Sequence, residues 1–191
     1  MRTLYIVLVI SLYGLGLSDQ EVKKEREERV KSIDVPAESR SWLSKTFPAI
    51  KKVKWYKEET SGKKSFEAKF RQKGSKYSVE FSEQGVIEDV EVSKGLSDLP
   101  ESTEQQLRAA FGNFDKFRLI EFQEQWTADT PQLLQQALLN QDSTQITIRY
   151  EVVFKAIMDG QHTLWEGLFD TRGQLLSKRK VALRPTDNLD F

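Results

Sequence analysis

The chain lacks cysteine altogether and has a single histidine, His162, among its 191 residues. It therefore has no disulfide, zinc–thiolate cluster or cysteine nucleophile, and one histidine cannot supply the ligand sets that catalytic zinc or non-haem iron prefer. Net charge is also lacking: 29 Lys and Arg balance 29 Asp and Glu. Nucleic-acid-binding domains carry a clear basic excess, so we predict no nucleic-acid partner. With 38% hydrophobic and 30% charged residues the composition is that of a globular protein, and we predict no cofactor and no metal site.

The amino terminus has the pattern of a secretory signal. Arg2 is followed by an apolar run from Leu4 to Leu17 that two glycines interrupt, and small residues precede a cleavage point between Ser18 and Asp19. A membrane-spanning helix needs about 20 apolar residues, more than this run provides. We therefore predict a signal peptide at residues 1–18, a periplasmic or secreted product, and no stable membrane insertion after cleavage.

A charged leader, residues 19–33, follows the predicted cleavage point. It mixes both signs densely, and opposite charges such as Glu25 and Arg29 have the spacing that supports a helix. We expect a solvated, partly helical segment that bridges to the fold, with an interaction arm as the alternative.

The rest of the chain aligns with itself. Val35-Pro36, Leu43, Phe47, the run Phe66–Phe70 and Gly85 recur as Leu99-Pro100, Leu107, Phe111, the run Tyr150–Phe154 and Gly173. The spacing grows along the alignment, which places an insertion at about residues 127–144 of the second copy. We predict repeat 1 at residues 34–95, repeat 2 at residues 96–184 and a short C-terminal tail at residues 185–191.

Each copy has the pattern of one helix followed by four strands. After the proline, apolar residues recur at helical spacing; the period then changes to two, with glycine at the turns. Such alternation is typical of half-buried antiparallel strands, so we predict an α+β fold with the helices on one sheet face. Five aromatic residues are expected in the core: Phe47, Trp55, Phe66, Phe70 and Phe81.

The first copy resembles a known family in several short motifs: Val35-Pro36, Phe47-Pro48, Val53-Lys54-Trp55, Phe66–Phe70, Val79-Glu80-Phe81 and Gly85. These are similar to the tandem PepSY-like, beta-lactamase-inhibitor-like (BLIP-like) domain of small exported bacterial proteins, over about residues 33–184. The resemblance implies two tandem helix-plus-four-stranded antiparallel repeats joined as one continuous curved eight-stranded sheet. In inhibitor relatives, the concave face away from the helices grips a partner protein. The second copy departs from the pattern, with Gly112 for Pro48 and Leu119 for Trp55, which weakens the implication that both halves bind alike.

The sheet face away from the helices is the predicted partner surface. Tyr and Arg are enriched at interface hot spots, and we expect Ile120, Phe122 and Leu168 on the same side. Alternating charges also stabilise cross-strand pairs, so a merely solvated face is the alternative. The candidate contacts with an unknown protein or peptide partner are Lys54, Tyr56, Lys69, Arg71, Glu80, Arg149, Glu151 and Glu166.

The insertion is predicted to hold a short apolar helix. Thr130-Pro131 can start it and Asn140 can end it, with four leucines and one alanine between them. We expect this helix to pack against the sheet or its edge. The alternative is a docking site for a partner helix or a second copy of the chain.

The sequence has no recognised catalytic motif. His162 follows a turn and is expected to be an exposed hairpin residue, and Glu80 and Glu91, facing each other on an open wet sheet, are expected to keep ordinary pKa values. We predict an exported, non-enzymatic binding protein, with inhibition as one form of that activity. The alternatives are an envelope hydrolase or a ligand carrier with a pocket near the inserted helix, and an envelope scaffold without a specific partner; the oligomeric state stays open.

Overall fold

The computed structural model describes residues 22–23, 25–60, 62–158 and 160–181. The predicted signal peptide, its cleavage point and the C-terminal tail lie outside these residues. The described chain contains α1 (Ala37–Thr46), α2 (Glu101–Phe111) and α3 (Pro131–Asn140), with short 3₁₀ turns at Ser32–Asp34 and Leu96–Asp98. The strands are β1 (Val22–Lys23), β2 (Glu25–Val30), β3 (Val53–Thr60), β4 (Lys63–Gln72), β5 (Ser75–Ser82), β6 (Ile87–Ser93), β7 (Asp115–Thr127), β8 (Thr147–Met158), β9 (Gln161–Phe169) and β10 (Leu175–Val181). In this described part, no helix is long and apolar enough to span a bilayer.

All strands belong to one continuous sheet, in the order β1-β10-β9-β8-β7-β6-β5-β4-β3-β2. Strands β2 to β10 form an antiparallel series, and the two-residue β1 pairs in parallel with β10. The predicted α+β class and the continuous sheet are confirmed. The expected count of eight strands is wrong, because the leader adds a strand at each edge.

The leader is a strand where a partly helical segment was expected. Residues Glu25–Val30 pair antiparallel with β3, which places Arg26 opposite Glu59 and Glu28 opposite Lys57. These opposite charges across the ladder replace the helical pairs that the sequence suggested, and the open edge of β3 supplies backbone hydrogen-bond partners that an isolated helix would lack. The charged strand also covers an edge that would otherwise invite pairing with another chain.

The two edges of the sheet come together at one end. Only one residue separates β1, which pairs with β10, from β2, which pairs with β3. Seven inter-strand steps of about 4.8 Å separate β3 from β10, about 34 Å along the sheet. Two Cα–Cα steps of about 3.8 Å and two pairing distances of about 5 Å bring Thr60 and Val181 within about 18 Å of each other. The sheet is therefore strongly curved.

The helices cover one face of the sheet and bury two aromatic-rich clusters there. Beneath α1, the five predicted core aromatics are all buried, with Phe81 fully inaccessible. Beneath α2, the cluster is built on Leu107, Phe154, Trp165 and Phe169. Phe122 belongs to this second cluster, so its predicted place on the opposite face is wrong: it pairs with the core residue Val152.

Two glycines join hairpins to the helices. Gly85 and Gly173, which the sequence alignment matched, both have positive φ, of +88° and +75°. A Cβ at Gly85 would lie 2.7 Å from Cβ of Pro36, and one at Gly173 would lie 2.8 Å from the backbone of Gln106. Each glycine therefore lets a hairpin approach a helix more closely than any side chain permits.

The helix predicted between Thr130 and Asn140 is confirmed as α3, with Thr130 as its N-cap; its C-cap is Gln141 in a left-handed conformation, one residue after Asn140. Thr130 Oγ1 accepts a hydrogen bond from the Leu133 backbone N–H at 3.2 Å, and the helix ends at Asn140. Leu134 is buried in the first cluster, Ala137 of the same helix is also buried, and Trp42 Nε1 of α1 donates to the Pro131 carbonyl at 3.3 Å. The helix packs on α1, where packing against the sheet or its edge was expected.

Truncating Leu134 to alanine is expected to destabilise the protein. Leu134 is 2% exposed, so the change leaves a cavity between α3 and the first cluster. We expect a loss of about 2 kcal/mol in the free energy of unfolding, measured by urea denaturation. Leu139→Ala is the matched control: Leu139 lies on the same helix but is 52% exposed, so its truncation should change stability by no more than about 0.5 kcal/mol. Equal effects of the two substitutions would contradict the packing of α3.

Candidate functional site

The candidate site is the sheet face that points away from the helices, called here the concave face. Side-chain alternation places Tyr56, Glu67, Glu80 and Glu151 there, opposite in direction to core residues such as Ala68. No described helix packs on this face, yet four of its glutamates are less than 9% exposed: Glu58, Glu67, Glu91 and Glu166. Curvature brings neighbouring side chains close enough to bury one another, and the face is therefore concave.

The structure places the predicted contact residues on this face in register. Lys54 lies opposite Lys69, Tyr56 opposite Glu67 and Glu80 opposite Asp89. Across the other half, Arg149 lies opposite Gln125, Glu151 opposite Gln123 and Glu166 opposite Arg179. Arg71 pairs with Lys76 near the ends of β4 and β5, where it is exposed. His162 is exposed on β9, as predicted.

Lys69 holds the most connected position on the face. Its Nζ lies 2.9 Å from Glu27 Oε1 and 2.8 Å from Glu67 Oε2, and it lies 5.0 Å from the centre of the Tyr56 ring. Ser78 Oγ donates a further hydrogen bond to Glu67 Oε1. Burial alone would lower the pKa of Lys69, but the carboxylates of Glu67 and then Glu27 outweigh it, and the pKa is raised. The ammonium therefore stays charged at physiological pH.

The Lys69 ammonium lies beside three carboxylates that could otherwise hold a metal ion. Carboxylate oxygens of Glu27, Glu58 and Glu67 lie within 4.8 Å of one another, which is close enough to share a cation. Lys69 Nζ contacts two of the three carboxylates at ion-pair distance. The lysine supplies the positive charge that this cluster needs, and the carboxylates fit a structural ion pair.

A second group of carboxylates continues along the middle of the concave face. Glu67 lies opposite Glu80, and Glu80 lies opposite Asp89, so like charges are direct cross-strand neighbours. Two glutamines of β7 bind this row: Gln125 Nε2 donates to Asp89 Oδ2 at 3.1 Å, and Gln123 Nε2 donates to Glu91 Oε2 at 2.9 Å. The glutamines supply donors without supplying positive charge.

Burial and like charge raise the pKa of two carboxyl groups in this row. The pKa of Glu91 is held well above its usual range, first by burial and then by the nearby carboxylates of Glu151, Asp89 and Glu80. The pKa of Asp89 is raised in the same way, by burial and then by Glu80 and Glu151. The expectation of ordinary pKa values on an open, wet sheet is wrong, because curvature removes water from these groups. Glu91 also lies opposite Ser78, and not opposite Glu80 as expected.

This row makes stability depend on pH in a direction opposite to the usual one for carboxylates. The folded-state pKa of Glu91 and Asp89 lies above the unfolded-state value, so the folded protein binds more protons. Their contribution to stability is fully present below about pH 4 and is lost as the pH rises through the folded-state pKa values. We expect Glu91→Gln to raise the free energy of unfolding at pH 8, because it removes a buried negative charge that lies among other carboxylates.

The measurement is urea denaturation of both proteins between pH 4.5 and 8. A glutamine at position 91 can still accept the hydrogen bond from Gln123. Toward acid pH Glu91 becomes protonated and uncharged, so the gain in stability from Glu91→Gln should shrink there. Glu83→Gln, which removes an exposed carboxylate from a turn, is the control and should leave the pH profile unchanged. A gain from Glu91→Gln that is equal at both ends of the range would contradict the assignment.

Several central residues of the concave face were not among the partner contacts predicted from the sequence. Glu67, Asp89 and Glu91 alternate with core residues of their strands, which is the signal for this face, but alternation does not show that they are shielded from water. Gln123 and Gln125 were missed, although they alternate with Phe122, Glu124 and Trp126 in β7. That alternation was the available signal, but only the β6–β7 register shows which carboxylates the glutamines meet.

Comparisons with known proteins identify the fold. No protein-family model and no curated protein sequence matches the chain. Among solved structures, a DUF2874 family protein from Bacteroides ovatus aligns with a TM-score of 0.52 and 16% identity, covering 76% of this chain and 87% of its own. A "putative periplasmic" protein from Bacteroides eggerthii aligns with a TM-score of 0.50 and 13% identity, covering 76% and 88%. A BLIP-like protein from Bacteroides fragilis aligns with a TM-score of 0.50 and 16% identity, covering 79% and 90%.

These alignments confirm the resemblance at the level of the fold. The chain has the fold of the BLIP-like and DUF2874 proteins, over most of its own length and most of theirs. Identities of this size carry no activity from one chain to another, so function has to be argued from the concave face itself.

Proposed function

We propose that the chain is an exported, non-enzymatic binding protein that contacts a protein or peptide partner through the concave face. The observation that carries the proposal is the curved, uncovered sheet face, whose polar side chains are held in fixed positions by one another. Lys69, Glu67 and Tyr56 form one such group, and Gln123 with Glu91 forms another. Side chains that are already ordered lose little entropy on binding, which favours association with a rigid partner.

Export is part of the proposal. It rests on the signal-peptide pattern at residues 1–18 and on the similarity in fold to a protein described as periplasmic. The further proposal that the chain consists of two copies of one helix-plus-four-strand unit rests on the matched positions in the sequence. Gly85 against α1 and Gly173 against α2 are in equivalent contacts, which supports it.

The shape of the protein favours binding over the alternative of a pocket near the inserted helix. Two clefts of the described chain lie along β2 and β3, on the far side of the sheet order from β8. The inserted helix α3 packs directly on α1, with Gln135 Nε2 donating to Thr46 Oγ1 at 2.8 Å. These contacts between α3 and α1 favour a packed helix over a ligand pocket at α3.

The experiment is partner capture in intact cells. The wild-type protein and the Tyr56→Ala/Arg149→Ala variant are crosslinked in the envelope, and attached proteins are quantified by mass spectrometry. We expect one saturable partner whose yield falls at least tenfold with the variant, since Tyr and Arg truncations at interface hot spots cost about 2 kcal/mol or more. Lys45→Ala/Arg108→Ala, on exposed positions of α1 and α2, is the matched control and should capture as the wild type does. Equal capture by both variants contradicts binding through the concave face.

A further inference from the structure

A cleft of about 540 Å³ opens where β2 runs into the 3₁₀ turn and β3 begins. Its lining consists of Arg29, Val30, Lys31, Ser32, Val53, Lys54 and Trp55. The leader contributes four of these residues and β3 the other three. The cleft therefore exists only because the leader pairs with β3 as a strand.

The cleft is positively charged without compensation. Its lining includes three cations, Arg29, Lys31 and Lys54, and no carboxylate. Within the described part of the chain, none of these three side chains makes an ion pair. All three residues are exposed, so a ligand can reach them from solvent.

A neighbouring cleft provides an internal comparison. It has a volume of about 200 Å³ and lies on the same two strands, extending to β4. Its lining balances three cations with three carboxylates: Arg26, Lys57 and Lys64 with Glu28, Glu58 and Glu59. The chain as a whole has no net charge, so the excess of cations in the larger cleft is a local feature.

The strand register explains why the cations have no partners. Lys54 lies opposite Lys69, whose ammonium is already engaged by Glu27 and Glu67. Arg29 lies opposite Tyr56, which has no charge to offer. The carboxylates of Glu27 and Glu67 are thus engaged by Lys69, no carboxylate lines the cleft, and its positive charge is left for a ligand.

We propose that this cleft binds an acidic segment of a polypeptide, with carboxylates on Arg29, Lys31 and Lys54. The guanidinium of Arg29 suits bidentate contact with a carboxylate, and the partly buried Val53 offers apolar surface to the aliphatic part of the same segment. The volume lies in the range of about 300–1,000 Å³ that is usual for ligand sites, and exceeds what one small anion needs. This inference rests on the proposed function for the occupant being a polypeptide.

The test is calorimetric titration of the mature protein, purified from the envelope, with acetylated pentaglutamate at low ionic strength. The comparison ligands are pentaglutamine and inorganic phosphate. We expect pentaglutamate to bind, and the Arg29→Gln/Lys31→Gln/Lys54→Gln variant to lose at least tenfold in affinity. The control variant Lys45→Gln/Lys73→Gln/Lys155→Gln removes the same charge from exposed positions outside the cleft and should stay within about twofold of the wild type. The single variant Lys54→Gln is expected to lose about threefold in affinity for pentaglutamate. It provides a second measurement if the triple variant does not fold.

Several results would overturn the assignment. They are no binding of pentaglutamate by the wild type, an equal loss in the control variant, and binding of phosphate or pentaglutamine in its place. The two proposals fail separately, because pentaglutamate titration needs no natural partner. Partner capture that is insensitive to Tyr56→Ala/Arg149→Ala contradicts the proposed function, whereas pentaglutamate affinity that is insensitive to the triple variant contradicts only the acidic-segment site.

Discussion

Gly173→Ala is expected to destabilise the protein by about 2–5 kcal/mol. Gly173 has a φ of +75°, and an added Cβ would lie 2.8 Å from the carbonyl carbon and oxygen of Gln106 in α2. The left-handed backbone costs a non-glycine residue about 1–2 kcal/mol. The overlap is with helix backbone, which cannot rotate away as a side chain can, so α2 must shift from the sheet at a further cost of about 1–3 kcal/mol. Urea denaturation measures the sum.

Gly74→Ala separates the two contributions. Gly74 has a φ of +89°, yet an added Cβ meets nothing within 4 Å. This variant should lose only the backbone cost of about 1–2 kcal/mol. If Gly173→Ala cost no more than Gly74→Ala, the close contact between hairpin and helix would be refuted.

Lys69→Met is expected to destabilise the protein by about 3 kcal/mol. The substitution keeps the length of the side chain but leaves the carboxylate of Glu67, only 6% exposed, without its cation, and it frees Glu27 of the leader. Loss of one partner of a buried pair costs about 3–5 kcal/mol, and we take the lower end because the Lys69 side chain is 40% exposed. Thermal and urea denaturation at pH 7 check the result.

Two further variants test the cause. Lys64→Met removes an exposed lysine from the same strand and should change stability by less than about 0.5 kcal/mol. Glu67→Gln/Lys69→Met removes both charges and should recover most of the loss, because no buried charge then lacks a partner. A double variant as unstable as Lys69→Met would show that the loss does not come from the unpaired charge of Glu67.

The local elements were predictable because each is specified by a few neighbouring residues. Thr130-Pro131 and Asn140 mark the ends of α3, and period-two alternation marks β4 and β5. The leader was not predictable in the same way. Its charges fit a helix at a spacing of four and a strand at a spacing of two, and the choice is made by the open edge of β3, which lies outside the segment.

The sequence predicted which face of the sheet carries the candidate site, but not the burial or the neighbours of its side chains. Alternation assigned Glu80 and Glu151 to the correct face. Their neighbours depend on register, and the irregularity after Glu80 shows that the β5–β6 hairpin is not a simple ladder. Burial of Glu91 depends on the curvature of the whole sheet, which no local pattern in the sequence encodes.

The pairing of the leader with both edges of the sheet also affects the order in which the strands pair during folding. Val22 pairs with Lys180 in the sheet, although the two residues are 158 positions apart in the chain. Contacts between such distant positions carry a high loop-closure cost and form late. The antiparallel series from β3 to β10 pairs mostly strands that are neighbours in the chain, while β1 can pair only with a β10 that has already joined the sheet. We therefore expect the pairing of β1 to be among the last steps of folding.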